Sequence, residues 1–281
     1  MTVPPADDTV RKPSNLLLRV VSAAVMAPVA IGAAWWGGWV FAGFWVLAAL
    51  VVLWEWVGLV AGRDYRMLVL SCGGAIVLAA VLAWTDHPVA AVLLMALGAL
   101  AASIFVPRAQ RLWIVAGIGY AGTMMLAPVI LRGQDVMGFI AIVLLFAIVW
   151  TTDVLAYFTG RAIGGPKLMP AVSPKKTWSG AIGGTIGAVA AAIAVAVFFD
   201  GLNTVAIAGL AFVLSIVSQA GDLLESQIKR HFRAKDASQL IPGHGGAMDR
   251  LDGFWTAVIV AAAIGLWRGG FEEPARGLLI W

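Results

Sequence analysis

Charge is scarce in this chain. Aspartate, glutamate, lysine and arginine make up 12% of its 281 residues, about half the share usual in a soluble domain. With 61% apolar residues and a mean hydropathy of +0.92, that scarcity excludes an ordinary soluble domain and points to an integral membrane protein. Cysteine is nearly absent. The single Cys72 rules out an internal disulfide and a cysteine-cluster metal site, and its apolar surroundings make it a packing residue. Basic residues outnumber acidic ones, for a net charge of +4. In so apolar a chain, anionic headgroups and topology account for that surplus, and no nucleic-acid partner is expected.

What is abundant is apolar sequence in runs of about 20 residues, each long enough to cross ~30 Å of hydrocarbon. Nine such spans cover roughly 16–34, 39–61, 67–85, 88–106, 112–131, 136–160, 179–199, 203–228 and 251–268. The fold class expected is all-α, a polytopic integral membrane protein of about nine transmembrane helices with its N-terminus in the cytoplasm. Sorted on that topology, sixteen lysines and arginines fall on the cytoplasmic side and only Arg132, Arg268 and Arg276 on the other, a strong positive-inside bias. Residues 1–15 form a polar cytoplasmic tail without a signal-peptide cleavage pattern. Residues 16–135 supply N-terminal helices, and 136–281 a C-terminal catalytic region whose loops 161–178 and 229–250 face the cytoplasm. The expected location is the cytoplasmic membrane. Gly180, Gly183, Gly184 and Gly187 open the seventh span; with no strand before them and no Lys-Ser/Thr after them, they are helix-packing positions, not a nucleotide loop.

Against this background the polar residues concentrate between Asp222 and Asp252, with two of the three histidines. Charges in or beside a membrane persist mainly where they act. Asp222, Glu225, Ser226 and Lys229 are spaced i, i+3, i+4, i+7 and share one helix face. Asp249 and Asp252 are an i, i+3 pair opening the ninth span. Two helix ends joined by a short loop can bring Asp222 and Asp249 together, and adjacent carboxylates repel unless a cation lies between them. Oxygen ligands favour Mg²⁺ or another hard cation. Lys229, Arg230, Lys235 and Arg250 are suited to phosphate oxygens. Gly245 and Gly246, next to His244, let backbone approach a ligand closely.

Upstream, Lys167, Ser173, Lys175, Lys176 and Thr177 gather ammonium and hydroxyl groups just before the seventh helix, where charge, donors and the helix dipole suit a polyphosphate. Asp153 and Tyr157 share a face near the end of the sixth span, and Asp153 needs a partner from another helix. Glu55, within Trp-Glu-Trp, is expected to be an interfacial acid paired with Arg63 or Arg66.

Ser226, Ile228, Lys229, Arg230, Lys235, Asp236, Ser238, Ile241, Pro242, His244, Gly245, Gly246, Asp249, Arg250, Leu251 and Asp252 form a long spaced pattern. In it the sequence resembles the phosphatidate cytidylyltransferases, or CDP-diacylglycerol synthases. The likeness extends to Asp153 with Tyr157, to the Ser173–Gly180 loop and, more weakly, to Glu55-Trp56. Ala247 departs from a larger apolar residue, and Val154-Leu155 from smaller ones; no charged position differs. The resemblance implies the reaction of CTP with phosphatidate to give CDP-diacylglycerol and pyrophosphate. It implies Mg²⁺, alone or with a second cation. Asp222, Asp249, Lys229, Arg230 and His244 are then the expected catalytic residues, with Asp222 and Asp249 as metal ligands. Lys167, Ser173, Lys175, Lys176, Thr177, Ser226, Lys235, Asp236, Gly245, Gly246, Arg250, Asp252, Asp153 and Tyr157 are the expected substrate-binding set. Membrane lipids surround the chain, and a homodimer is the expected assembly.

Ion transport is the competing class, because intramembrane acids also mark ion pathways. Transporters often show paired internal repeats; here the acids cluster in the C-terminal half with no matching first half. The His-x-Gly-His pattern of soluble nucleotidyltransferases is absent.

Overall fold

The computed structural model describes residues 15–62, 66–85, 87–199, 201–241 and 245–281. Each of the nine spans corresponds to a helix: α1 (Asn15–Trp36), α2 (Gly38–Val60), α3 (Arg66–Trp84), α4 (Pro88–Ile104), α5 (Arg108–Arg132), α6 (Val136–Ile163), α7 (Trp178–Phe198), α8 (Thr204–His231) and α9 (Met248–Gly269). Seven of them, α2, α3 and α5 to α9, are long and apolar enough to cross a membrane. The chain is an all-α polytopic membrane protein. The polar tail expected at the N-terminus lies outside the described residues.

Two elements were not foreseen. The 161–178 segment, expected as a loop, folds into an antiparallel hairpin of β1 (Lys167–Met169) and β2 (Ser173–Thr177), with Lys167 opposite Thr177 and Met169 opposite Ser173. A short helix α10 (Pro274–Leu279) folds back on α9, where Gly265 and Gly269 let its backbone come close.

Helix packing explains the glycines of α7. A Cβ on Gly180 would lie 2.7 Å from Ala156 O, and one on Gly184 2.6 Å from Thr152 O. Only glycine allows α6 and α7 to pack backbone to backbone there. A buried polar ladder joins the same pair to α8: Thr152 Oγ1 meets Ser215 Oγ at 2.9 Å, and Gln219 Nε2 donates to Thr185 Oγ1 at 3.0 Å. Thr152 and Ser215 are fully buried with no water to turn to, so they pair across helices. Elsewhere the core closes on aromatic contacts such as Trp45 stacked on Phe254, centroids 4.9 Å apart.

Helices α6 and α8 have 28 residues each, about 42 Å of helix against ~30 Å of hydrocarbon. Their surplus turns, with the hairpin and the start of α9, gather the polar residues at one end of the bundle. The opposite end explains the three exceptions to the charge bias. Arg132 Nε donates to Ala34 O at 2.6 Å and its Nη1 to Asp135 O at 3.0 Å, tying down the carbonyl end of α1. Arg268 donates to Gly277 O and Ile280 O at 2.6 and 2.8 Å, and Arg276 pairs with Glu273 at 3.6 Å. These arginines serve helix ends.

Candidate active site

The β-hairpin, the last turns of α6 and α8 and the first turns of α7 and α9 enclose a cavity of about 710 Å³. Its wall carries five acidic side chains, Asp153, Asp222, Asp236, Asp249 and Asp252, and six basic ones, Arg161, Lys167, Lys175, Lys176, Lys229 and Arg250. Tyr157 and Thr177 also line it. The topology accounts for this meeting. The residues before α7 and those ending α8 lie far apart in sequence, but both occupy the same end of an antiparallel bundle.

Two ion pairs cross the site. Lys176 of β2 pairs with Asp222 of α8. Lys229, on the last turn of α8, lies between Asp249 of α9 and Glu225 of its own helix, the latter 2.5 Å away. Lys229 and Glu225 are buried, a state that a charged group sustains only with close partners. Asp249 Oδ2 also accepts hydrogen bonds from Ala237 N at 2.9 Å and Gly246 N at 2.7 Å. Gly245 has φ +86°, and a Cβ there would sit 2.8 Å from Asp249 Oδ2, so the left-handed turn and the tight approach both require glycine. Ser226 Oγ lies 3.5 Å from Asp222 Oδ1. Asp252 is within electrostatic reach of Asp222, Glu225 and Asp153, so the acids of α6, α8 and α9 form one field.

Three described candidates, Ser173, Arg230 and Lys235, lie away from this cavity. Ser173 sits at the far end of β2, opposite Met169. Arg230 turns away and donates to Ala234 O at 3.0 Å. Lys235 is exposed and does not line the cavity. His244 lies outside the described residues. Three residues escaped the expected site set. Arg161 lines the cavity and donates to Tyr157 Oη at 2.9 Å, a pairing signalled by i, i+4 spacing. Glu225 carries the same i, i+4 signal relative to Lys229. The third is Glu55. It does not pair with Arg66, and Arg63 is outside the described residues; its carboxylate hydrogen-bonds the segment before α9 instead.

The donor set fits a hard divalent cation. Mg²⁺ usually takes one or two carboxylates and leaves its other positions to water and substrate phosphates. Among the described residues no three acidic, histidine or cysteine side chains group closely enough to hold a metal ion by themselves, so a cation here would need water and phosphate oxygens to complete its shell. Asp222 and Asp249 both face the cavity, and a carboxylate oxygen that accepts one bond retains acceptor capacity.

Apolar helices ending in a cavity of acids and lysines define the class, a polytopic membrane protein with a charged site at one end of its bundle. The model of the cytidylyltransferase family matches residues 17–267, and the chain belongs to that family. A phosphatidate cytidylyltransferase of Brucella abortus is 41% identical over 266 residues, covering 93% of this chain and 96% of the relative. One of Brucella melitensis is equally similar over the same length. A phosphatidate cytidylyltransferase of Staphylococcus aureus is 44% identical over 110 residues, 39% of this chain and 42% of the relative.

Proposed function

We propose that this chain is a CTP:phosphatidate cytidylyltransferase, making CDP-diacylglycerol and pyrophosphate for phospholipid synthesis. The observation that carries the reading is the near full-length correspondence to proteins of that name, and the lysine- and acid-lined cavity supports it. An oxygen of the phosphatidate phosphate attacks the α-phosphorus of CTP. The new P–O bond forms as the bond from that phosphorus to the bridging oxygen breaks, and pyrophosphate leaves. A phosphate monoester is largely ionised near neutral pH, so no general base is required. Lys167, Lys175 and Lys176 bind the triphosphate and spread the charge gathering on the departing pyrophosphate. Arg250 and Lys229 hold the acids and phosphates in register. Mg²⁺, alone or with a second cation, would be held by Asp222 and Asp249 and would supply further neutralisation of phosphate charge.

The substrates are thus CTP and a lipid phosphate reached from the bilayer. In this reading the enzyme lies in the cytoplasmic membrane as a homodimer, its cavity opening to the cytoplasm; the sixteen-to-three charge distribution supports that orientation. The test is direct. Purified protein with CTP, phosphatidate and Mg²⁺ in detergent should release CDP-lipid and pyrophosphate in equal amounts. Absence of both under conditions where a relative of that name turns over would reject the activity.

A further inference from the structure

We infer that Glu55 is a positioning residue for this reaction, whose carboxylate reaches from the N-terminal half of the chain to fix the segment carrying Asp249 and Arg250 into the cavity. Glu55 lies near the end of α2 and is 2% exposed. Its Oε1 accepts from Ser238 Oγ at 2.6 Å and Ala247 N at 2.9 Å, and its Oε2 from Met248 N at 2.7 Å. Ala247 and Met248 are the N-cap and first residue of α9, and the N-cap supplies no side-chain cap of its own. The orphan N–H groups of a helix start need an acceptor, and a carboxylate there is favoured by the helix dipole. In this fold that acceptor comes from α2.

The fit is tight. A Cβ on Gly246 would lie 2.5 Å from Glu55 Oε1, so the carboxylate is lodged against backbone that only glycine can provide. Among the described residues no lysine or arginine forms an ion pair with Glu55. A buried carboxylate held solely by hydrogen bonds is costly to keep, and its use is geometric. On one side Glu55 holds Ser238, Ala247 and Met248; on the other Asp249 holds Ala237 and Gly246. Between them the two carboxylates fix both ends of the segment. Glu55 does not line the cavity, so it acts through Asp249 and Arg250 without touching substrate.

This inference rests on reading the cavity as the active site, and its test separates the two. In Glu55→Gln either orientation of the amide turns its NH₂ toward at least one backbone N–H, so one donor is left unpaired. The variant should lose about 10- to 100-fold in kcat, the scale expected when reacting groups are displaced by about an ångström, with KM for CTP nearly unchanged. Hydrogen exchange should quicken in residues 237–241 and 245–249 and remain unaltered in the α6–α7 pair. Glu55→Asp, which keeps the charge but withdraws it by one methylene, should fall between. Should Glu55→Gln fail to fold, Ser238→Ala removes one of the three contacts to Glu55, together with the local bond from Leu240 N, and should show the same pattern more weakly. Wild-type kcat in Glu55→Gln, or exchange that quickens equally throughout the bundle, would overturn the inference. If the wild-type protein makes no CDP-lipid, the reading of the cavity fails, and the exchange comparison still decides whether Glu55 holds the segment.

Discussion

Lys176 of the β-hairpin is ion-paired with Asp222 of α8, whereas the adjacent Lys175 lines the same cavity with no acidic partner among the described residues. Neighbouring lysines therefore have different duties. Lys175 is free for substrate phosphate, and Lys175→Gln should raise KM for CTP about tenfold, the loss of roughly 1.4 kcal/mol of binding, with KM for lipid unchanged. Lys176→Gln also strips Asp222 of its partner and should lower kcat as well. Steady-state kinetics with each substrate varied in turn would check this; equal effects of the two changes on both constants would count against it.

Lys229 stands between two acids, with 10% of its side chain exposed. Lys229→Met leaves Glu225 and Asp249 facing each other in a poorly solvated place. Breaking such a pair by removing one partner costs about 3–5 kcal/mol, so thermal unfolding in detergent should move down by many degrees. Adding Glu225→Leu should recover much of that stability without restoring turnover. A double variant as unstable as the single one would mean that charge burial is not the cause.

The α6–α7 contact predicts a contrast between glycines. Gly184→Ala places a methyl 2.6 Å from Thr152 O, and overpacking of this kind costs about 1–3 kcal/mol. Because α7 follows directly from the hairpin, the variant should also weaken CTP binding. Gly119→Ala in α5 meets nothing within 4 Å and should stabilise its helix by up to about 1 kcal/mol. Melting temperatures of the two variants, compared in one detergent, test this directly.

Orientation can be tested on the segment that Glu55 holds. Gln239 is exposed, and Cys72, the only cysteine, is buried. A cysteine substituted for Gln239 in a Cys72→Ala background should react only with reagents that reach the cytoplasm. Labelling of intact cells by an impermeant maleimide would reverse the topology.

Much of this architecture is legible from hydropathy alone, since each apolar run of about 20 residues has only one backbone solution in hydrocarbon. The cavity was legible through charge that a membrane protein keeps only with reason, and Asp153, Lys175, Lys176, Asp222 and Asp249 do line one site. The hairpin was hidden because Ser173-Pro174 reads as a helix breaker and five residues are too few for a strand pattern to show. Arg230 and Lys235 share a short polar segment with true cavity residues, and sequence spacing does not say which way an irregular segment turns each side chain. The partners of Glu55 stayed hidden for a different reason. They are mostly backbone N–H groups nearly two hundred positions away, and backbone donors leave no trace in residue identity.

The two aspartates proposed as metal ligands are tied into the fold to different degrees, and that difference yields the sharpest test. Among the described residues, the side chain of Asp222 bonds only to those of Lys176 and Ser226. Asp249 meets Lys229 and two backbone N–H groups. Asparagine is nearly isosteric with aspartate but lacks the charge, and its NH₂ is a poor neighbour for other donors. Asp222→Asn should therefore keep its melting temperature within a degree or two yet lose nearly all turnover, poorly rescued by excess Mg²⁺. Asp249→Asn should lose turnover and also about 1–3 kcal/mol of stability, because a buried donor is left without its acceptor. For catalysis the double change should be little worse than either single one, since groups acting on one ion do not contribute additively. Chelation of divalent ions should abolish wild-type turnover, and Mg²⁺ should restore it. Folded Asp222→Asn protein with near-normal activity and metal dependence would remove Asp222 from the site. Asp153, which lines the same cavity and feels the charge of Asp222, would then take its place as the acid presented from α6.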